Sequence, residues 1–258
     1  MMNLINKIIN KIALSFSLSN QKNIHIKNLL KNKVIIAESS NEDDLMMETS
    51  LKYSMTPKVR MWALVQSIKY LINNNISGDI VETGVFKGGN LILSQKLLNF
   101  YEPNTKRKVW GFDTFEGMTE PTKNDKDVFG EDPRKFWEKS QKKDYNDWCY
   151  SSIDEVRNNF IKETNSNLVK LIKGPVEKTL KVEENLPDQI SLLRLDTDWY
   201  ESSKIELEIL YPKLVKGGVL IIDDYGHWQG VKKSVDEYFK NENIWLHYVD
   251  YGCRLLIK

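Results

Sequence analysis

From Pro57 onward the apolar positions of this chain switch between two periods. Val59, Trp62, Val65, Ile68 and Ile72 recur every three or four residues. That predicts a helix opening at Pro57, a residue suited to a first turn, and closing at Asn73-Asn74-Asn75. Beyond it, short apolar runs alternate with helical patterns. Strands are expected at Asp79–Thr83, Lys108–Phe112, Val169–Ile172, Ile190–Leu195 and Val219–Ile222, with helices at Gly89–Phe100, Ser152–Glu163, Ser202–Leu214 and Gly230–Lys240. Two late runs, Trp245–Val249 and Arg254–Ile257, joined through Asp250-Tyr251-Gly252, predict a hairpin. Strands apolar on both faces and separated by helices belong to a sheet covered on both sides. The expected fold is α/β, a doubly wound sheet of about seven strands ending in an antiparallel hairpin.

Two segments depart from this alternation. Residues 1–50 read as an N-terminal helical appendage to a domain at 51–258. In the appendage Leu4, Ile5, Ile8, Ile9, Ile12 and Phe16 form an amphipathic stripe, followed by the basic stretch Lys27–Lys33 and the polar run Ser39–Asp44. The stripe suits packing on its own fold or on a second copy in a homo-oligomer, and its basic flanks leave peripheral membrane contact open. Residues 114–150 are a long charged insertion after the second strand, of a length typical of lids and binding elements. Its Trp137, Tyr145, Trp148 and Tyr150 can line a pocket or anchor the insertion to the core.

Composition narrows the picture by exclusion. Lys plus Arg (37) nearly balance Asp plus Glu (36), a net charge of +1 that argues against a nucleic-acid scaffold. Two cysteines, Cys149 and Cys253, cannot staple 258 residues, and Cys149 lacks the neighbouring histidine of a thiol nucleophile. The histidines at 25, 227 and 247 are too far apart for a helical zinc pair. No run reaches the roughly 18 apolar residues of a membrane span. The chain reads as cytoplasmic.

The chemistry gathers where strands end, since ligands of doubly wound sheets sit outside the carboxyl ends of the strands. The first strand runs into Val81-Glu82-Thr83-Gly84-Val85-Phe86-Lys87-Gly88-Gly89. Its glycines admit close backbone approach, but their spacing is not the dinucleotide fingerprint. The second strand ends in Asp113, placed to accept two ribose hydroxyls. Glu82 suits an ammonium group and would repel a pyrophosphate. A ribose and an ammonium without phosphate describe S-adenosylmethionine. The glycines also have a structural use, as a tight turn for helix–strand packing.

Two more strands end in acids, Leu195-Asp196-Thr197-Asp198 and Ile222-Asp223-Asp224-Tyr225. Carboxylates crowded into one pocket raise one another's proton affinity, and a divalent cation relieves this. With oxygen donors and no Cys or His cluster, Mg²⁺ is the natural choice, with Ca²⁺ or Mn²⁺ as possibilities. A cation there would lower the pKa of a substrate hydroxyl, and a spare carboxylate would take its proton. Alternatively, Asp223 or Asp224 could cap the next helix and Asp198 could pair on the surface. His227, after the Asp-Asp-Tyr turn, can serve as a second base or simply be solvated.

In order and spacing, these motifs, together with Gly111-Phe112-Asp113-Thr114-Phe115-Glu116-Gly117, Asp198-Trp199-Tyr200-Glu201-Ser202 and Gly217-Gly218, resemble the macrocin O-methyltransferase-like family from about Met55 to Asp250. The resemblance implies a Rossmann-like class I methyltransferase sheet with N-terminal helices and a lid insertion. It implies methyl transfer from S-adenosylmethionine to a sugar hydroxyl with Mg²⁺, in a homodimer or larger assembly. It makes Asp196, Asp223 and Asp224 metal ligands and Asp198 the general base, with His227 as a further catalytic candidate. The cofactor would be held by Glu82, Thr83, Gly84, Val85, Gly88, Asp113, Gly174 and Asp196, with Thr114 beside the ribose and Glu177 near the adenine. This chain departs from the family at Thr197, at Trp199 and at Gly174-Pro175; Trp199 bears on the shape of the acceptor pocket. Two rival readings are a glycosyltransferase holding Mn²⁺ and a nucleotide sugar on Asp196-x-Asp198, and a cofactor-binding scaffold without chemistry.

Overall fold

A computed structural model describes residues 35–166 and 168–258 of the chain. The stripe expected over Leu4–Phe16 and the basic stretch Lys27–Lys33 lie outside the described residues. The sheet, its helices and the insertion form one unit, Ser40–Lys258.

All seven expected strands are present: β1 Asp79–Thr83, β2 Val109–Asp113, β3 Val169–Lys173, β4 Ile190–Leu195, β5 Leu214–Ile222, β6 His247–Tyr248 and β7 Arg254–Ile257. They lie in the order β3-β2-β1-β4-β5-β7-β6. The first five run parallel; β7 is antiparallel to β5, and β6 to β7. The chain reverses its winding between β1 and β4, where a doubly wound sheet opens its crevice. Register fixes what meets there. Thr83 stands beside Phe112 and Leu195, and Leu195 beside Ile222. The next residue of each strand or turn, Gly84, Asp113, Asp196 and Asp223, therefore falls in one row along the carboxyl edge.

Eight helices are described: α1 Asn41–Ser50, α2 Lys58–Asn73, α3 Gly89–Tyr101, α4 Arg134–Lys139, α5 Ile153–Thr164, α6 Val176–Thr179, α7 Tyr200–Ile209 and α8 Gln229–Tyr238. The helix expected to run to Leu214 stops at Ile209. Pro212 has no N–H and disfavours helix before it, so a short turn at Tyr211–Lys213 leads into a β5 that starts five residues earlier than expected. The expected strand Trp245–Val249 shrinks to two exposed residues, because an edge strand has a partner on one side only.

Two further departures matter for the site. α1, which the sequence reading left in the appendage, packs on α3 within the sheet-bearing unit. Its start is a capping box, with the Asp43 N–H donating to Ser40 Oγ and the Ser40 N–H to Asp43 Oδ2. The buried Asp43 carboxylate also takes donors from Lys69 and Tyr101, each at 2.8 Å, tying α1 to α2 and α3. On α2 the buried face is Met61, Leu64, Val65, Ile68 and Leu71; it keeps Val65 and Ile68 of the expected stripe, leaves Val59, Trp62 and Ile72 half-buried, and carries Arg60 inward.

The insertion is fastened rather than loose. Buried Asp125 accepts the Tyr200 N–H of α7 at 2.7 Å, and the Trp199 indole donates to Thr119 O at 3.0 Å. Trp148, Trp199 and Trp228 meet edge to face, joining insertion, β4 turn and α8.

Candidate active site

A cavity of about 490 Å³ opens over the row of strand ends. On its β1–β2 side the turn at Gly84 has φ +75°, and a Cβ there would stand 1.9 Å from Asp196 O. Only glycine lets the β1 turn lie against the β4 tip. The Val85 and Phe86 N–H groups donate to Asp113 Oδ2 at 2.8 and 3.2 Å, and the Phe115 N–H to Oδ1 at 2.7 Å. Asp113 thus pins the glycine loop while still lining the cavity; burial nonetheless raises its pKa against these bonds.

On the β4–β5 side, one carboxylate oxygen from each of Asp196, Asp198 and Asp224 lies within 4.8 Å of the others. Asp198 reaches the group through a strained turn. Its φ is +69°, and the Trp199 N–H donates back to Thr197 O at 2.9 Å. This is a left-handed γ-turn, a conformation costing about 1–3 kcal/mol for a non-glycine residue. Burial pushes the Asp196 carboxyl up to about 8 against the opposing pull of Arg194, and burial together with Asp224 pushes Asp198 well above the usual carboxylate range.

Two buried arginines stand behind these acids. Arg194 in β4 pairs with Glu82 at 2.6 Å, Asp196 at 2.8 Å and Asp223. Arg60, from α2, pairs with Asp223 and, at 2.8 Å, with Asp250, and lies 3.6 Å from Asp224. Asp223 is buried between both guanidinium groups, so it stands apart from the group of three.

Residues 6–254 match the family model described as macrocin-O-methyltransferase (TylF). The chain belongs to this family. Among TylF-type relatives, it is 34% identical over 180 residues to demethyldecarbamoylnovobiocin O-methyltransferase of Streptomyces niveus, covering 69% of this chain and 64% of that protein. It is 31% identical over 177 residues to 8-demethyl-8-(2,3-dimethoxy-alpha-L-rhamnosyl)-tetracenomycin-C 4'-O-methyltransferase of Streptomyces olivaceus, covering 68% and 64%. The match therefore spans less than two thirds of the length of both relatives. The solved O-methyltransferase NovP superposes with a TM-score of 0.69 at 26% identity, over 90% of this chain and 93% of that one.

Within this TylF-family chain, of the residues expected to hold the cofactor, Gly84, Val85, Asp113, Thr114, Gly174, Glu177 and Asp196 line the cavity, and Asp198, Asp223, Asp224 and His227 line it too. Three expected contacts do not line it. Glu82 is buried behind the wall, where Asn90 and Arg194 donate to its Oε1 and its Oε2 has no partner. Thr83 is wholly buried, and Gly88 is the left-handed cap of α3, facing Val156. Of the acids expected around a cation, Asp196 and Asp224 lie together with Asp198, while the arginines hold Asp223. His227 keeps Nδ1 buried and unpartnered, its ring edge to face with Trp228.

Of the insertion's four aromatic candidates only Trp148 lines the cavity; Trp137 donates to Met118 O, and Tyr145 stacks on Tyr150. Trp199 is buried and shapes the pocket through Trp148 and Trp228 instead of lining it. Burial and nearby Asp198 hold the Cys149 thiol in its neutral form. Sequence reasoning missed Arg60 and Arg194. The signal for Arg60 was a second helical set, Met61, Leu64, Ile68 and Leu71, one position along from it. Arg194 stood in view as a charge inside an apolar strand.

Proposed function

We propose that this chain transfers a methyl group from S-adenosylmethionine to a hydroxyl of a sugar, on a glycan or a glycosylated natural product, with a divalent cation such as Mg²⁺ bound beside the acceptor. The single observation that carries the reading is one cavity with the glycine loop and Asp113 on one side and three converging carboxylates on the other. The donor set fits a hard cation, because the oxygens are all carboxylate and, once ionised, the group of three outweighs the arginines beside it. Asp196 and Asp224 would hold it, Asp196 with Arg194 at 2.8 Å and Asp224 with Arg60 at 3.6 Å to offset part of the acidic group's charge. The cation, when bound, supplies Lewis acidity that makes the acceptor hydroxyl easier to deprotonate.

Asp198 has no arginine at contact distance, and its surroundings give it a high proton affinity, so it is assigned as the base that takes the hydroxyl proton. The acceptor oxygen attacks the sulfonium methyl in line, the C–S electron pair stays on sulfur, and the products are the methyl ether and S-adenosylhomocysteine. Gly84, Val85, Asp113, Thr114, Gly174 and Glu177 would hold the donor, and Trp148, Trp228 and His227 would face the acceptor. A homo-oligomeric, cytoplasmic enzyme is proposed from the sequence stripe and composition alone. Among the described residues no helix is long and apolar enough to cross a membrane.

The test has two arms. S-adenosylhomocysteine at about 100 times its Kd should add about 2.7 kcal/mol of stability, a melting shift of roughly 5–10 °C for a domain of this size. UDP with Mn²⁺ should give none. Mass spectrometry of a desmethyl glycoside panel should then show a one-methyl gain that needs Mg²⁺ and vanishes with EDTA. No shift and no methylated product would end the proposal.

A further inference from the structure

We infer that Glu206 is a positioning residue: its hydrogen bond with the Thr197 hydroxyl holds the strained turn that presents Asp198 to the acidic group. The kinetic consequence rests on the methyl-transfer reading; the structural claim stands without it.

Glu206 lies on α7 and is completely buried. Thr197 Oγ1 donates to its Oε1 at 2.9 Å. Its Oε2 is enclosed without a partner. An apolar side chain would fill this space without leaving a buried oxygen unsatisfied, a recognised cost. What the carboxyl adds is an acceptor for the Thr197 hydroxyl, just beyond the β4 tip.

Thr197 is the hinge of the acidic group, since it sits between Asp196 and Asp198. Any movement of Thr197 carries both carboxylates with it. Its carbonyl closes the γ-turn through the Trp199 N–H, and Ser202 Oγ stands 3.4 Å from the same oxygen. A left-handed φ at Asp198 persists only where surrounding contacts over-determine it. Glu206 supplies that contact through the Thr197 hydroxyl, and Gly84 gives the room beside Asp196 O. Burial pushes the Glu206 carboxyl up to about 8, so near neutral pH it is mostly protonated, and glutamine is its close substitute.

The experiment compares Thr197→Val, Glu206→Leu, the double variant and Glu206→Gln. Crystal structures of Thr197→Val and Glu206→Leu should show the Asp198 carboxylate withdrawn from its 4.8 Å grouping with Asp196 and Asp224, while Glu206→Gln keeps it. With a glycoside acceptor from the panel, the first two variants should lose about tenfold to a hundredfold in kcat, the scale of a 1 Å misplacement. KM and the calorimetric Kd for S-adenosylhomocysteine should stay within about twofold. The double variant should be no worse than either single one, and Glu206→Gln should recover most of kcat.

An unchanged Asp198 turn in both Thr197→Val and Glu206→Leu, or additive losses in the double variant, would overturn the assignment. Should the wild-type protein bind no S-adenosylhomocysteine and methylate no glycoside, the functional reading fails, and the crystal structures still decide the role of Glu206.

Discussion

The two sides of the cavity treat their acids in opposite ways. Beside β1 and β2, Asp113 takes three backbone N–H groups, and Glu82 takes Arg194 and Asn90. Those acids are largely satisfied by the chain itself and act as braces. Beside β4 and β5, both arginines converge on Asp223, and Asp196, Asp198 and Asp224 are left facing one another with too little positive charge. Braced acids build the wall of a site. Under-compensated acids favour uptake of a cation or of protons.

The sharpest way to break this contrast is Asp198→Asn. Turnover should fall about 10²–10⁴-fold, the range for loss of a general base. The melting temperature should rise, because one member of a repelling group has been neutralised. A variant that keeps turnover shows that Asp198 is not the base, and one that loses stability shows that its charge is braced after all.

Arg194→Leu probes the other side of the balance. Removing one partner of a buried ion pair costs about 3–5 kcal/mol, and here three acids lose their guanidinium at once. Urea denaturation should show that loss. The companion comparison is Asp223→Ala against Asp224→Ala, read by Mn²⁺ affinity in electron paramagnetic resonance. Asp224→Ala should weaken Mn²⁺ binding; Asp223→Ala should mainly lower stability by freeing the arginines. The reverse pattern would put Asp223 in the ligand set.

The contrast should also appear as a pH dependence. Asp196 and Glu206 are pushed up to about 8, from ordinary values of 3.8 and 4.5. The folded protein then holds protons that the unfolded chain releases, so stability should fall as pH rises from about 4 to about 8 and level off above that. Mg²⁺ should offset part of the fall at the alkaline end and do little at the acid end, where protons already fill the group. Urea midpoints across this range, with and without Mg²⁺, read both effects. A stability that climbs through the window would mean these acids are ionised and compensated.

Much of this was legible in the chain, and the illegible part has a common cause. Strands whose ends are marked by Thr83-Gly84, Asp113, Leu195-Asp196 and Ile222-Asp223 announce a row of ligand-bearing tips, because period and termination are local properties. Which side chain of Asp223-Asp224 joins the acidic group is not local. It turns on Arg60, 163 residues away, reaching inward from a helix whose two candidate faces differ by one position. Glu82 was assigned to the donor for the same reason: nothing near it in sequence reveals that Arg194, 112 residues on, would claim it. The aromatic insertion behaved alike, since Trp148 meets Trp199 and Trp228 only once the fold is closed.

The smallest expected effect tests whether the braced side is only a brace. In Asp113→Asn the amide oxygen can still accept from Val85 and Phe86, but its NH₂ would meet the Phe115 N–H donor to donor. Loss of one hydrogen bond to a charged group costs about 1.5–3 kcal/mol, less whatever the loop recovers by turning towards solvent. If Asp113 acts through the glycine loop, stability and S-adenosylhomocysteine affinity should fall together, the affinity by roughly tenfold for about 1.4 kcal/mol of loop disorder. If it acts by accepting ribose hydroxyls, affinity should fall while the melting temperature of the free protein holds. Calorimetry beside thermal denaturation separates the two, and the four bonds that Asp113 already takes from Val85, Phe86, Thr114 and Phe115 favour the first.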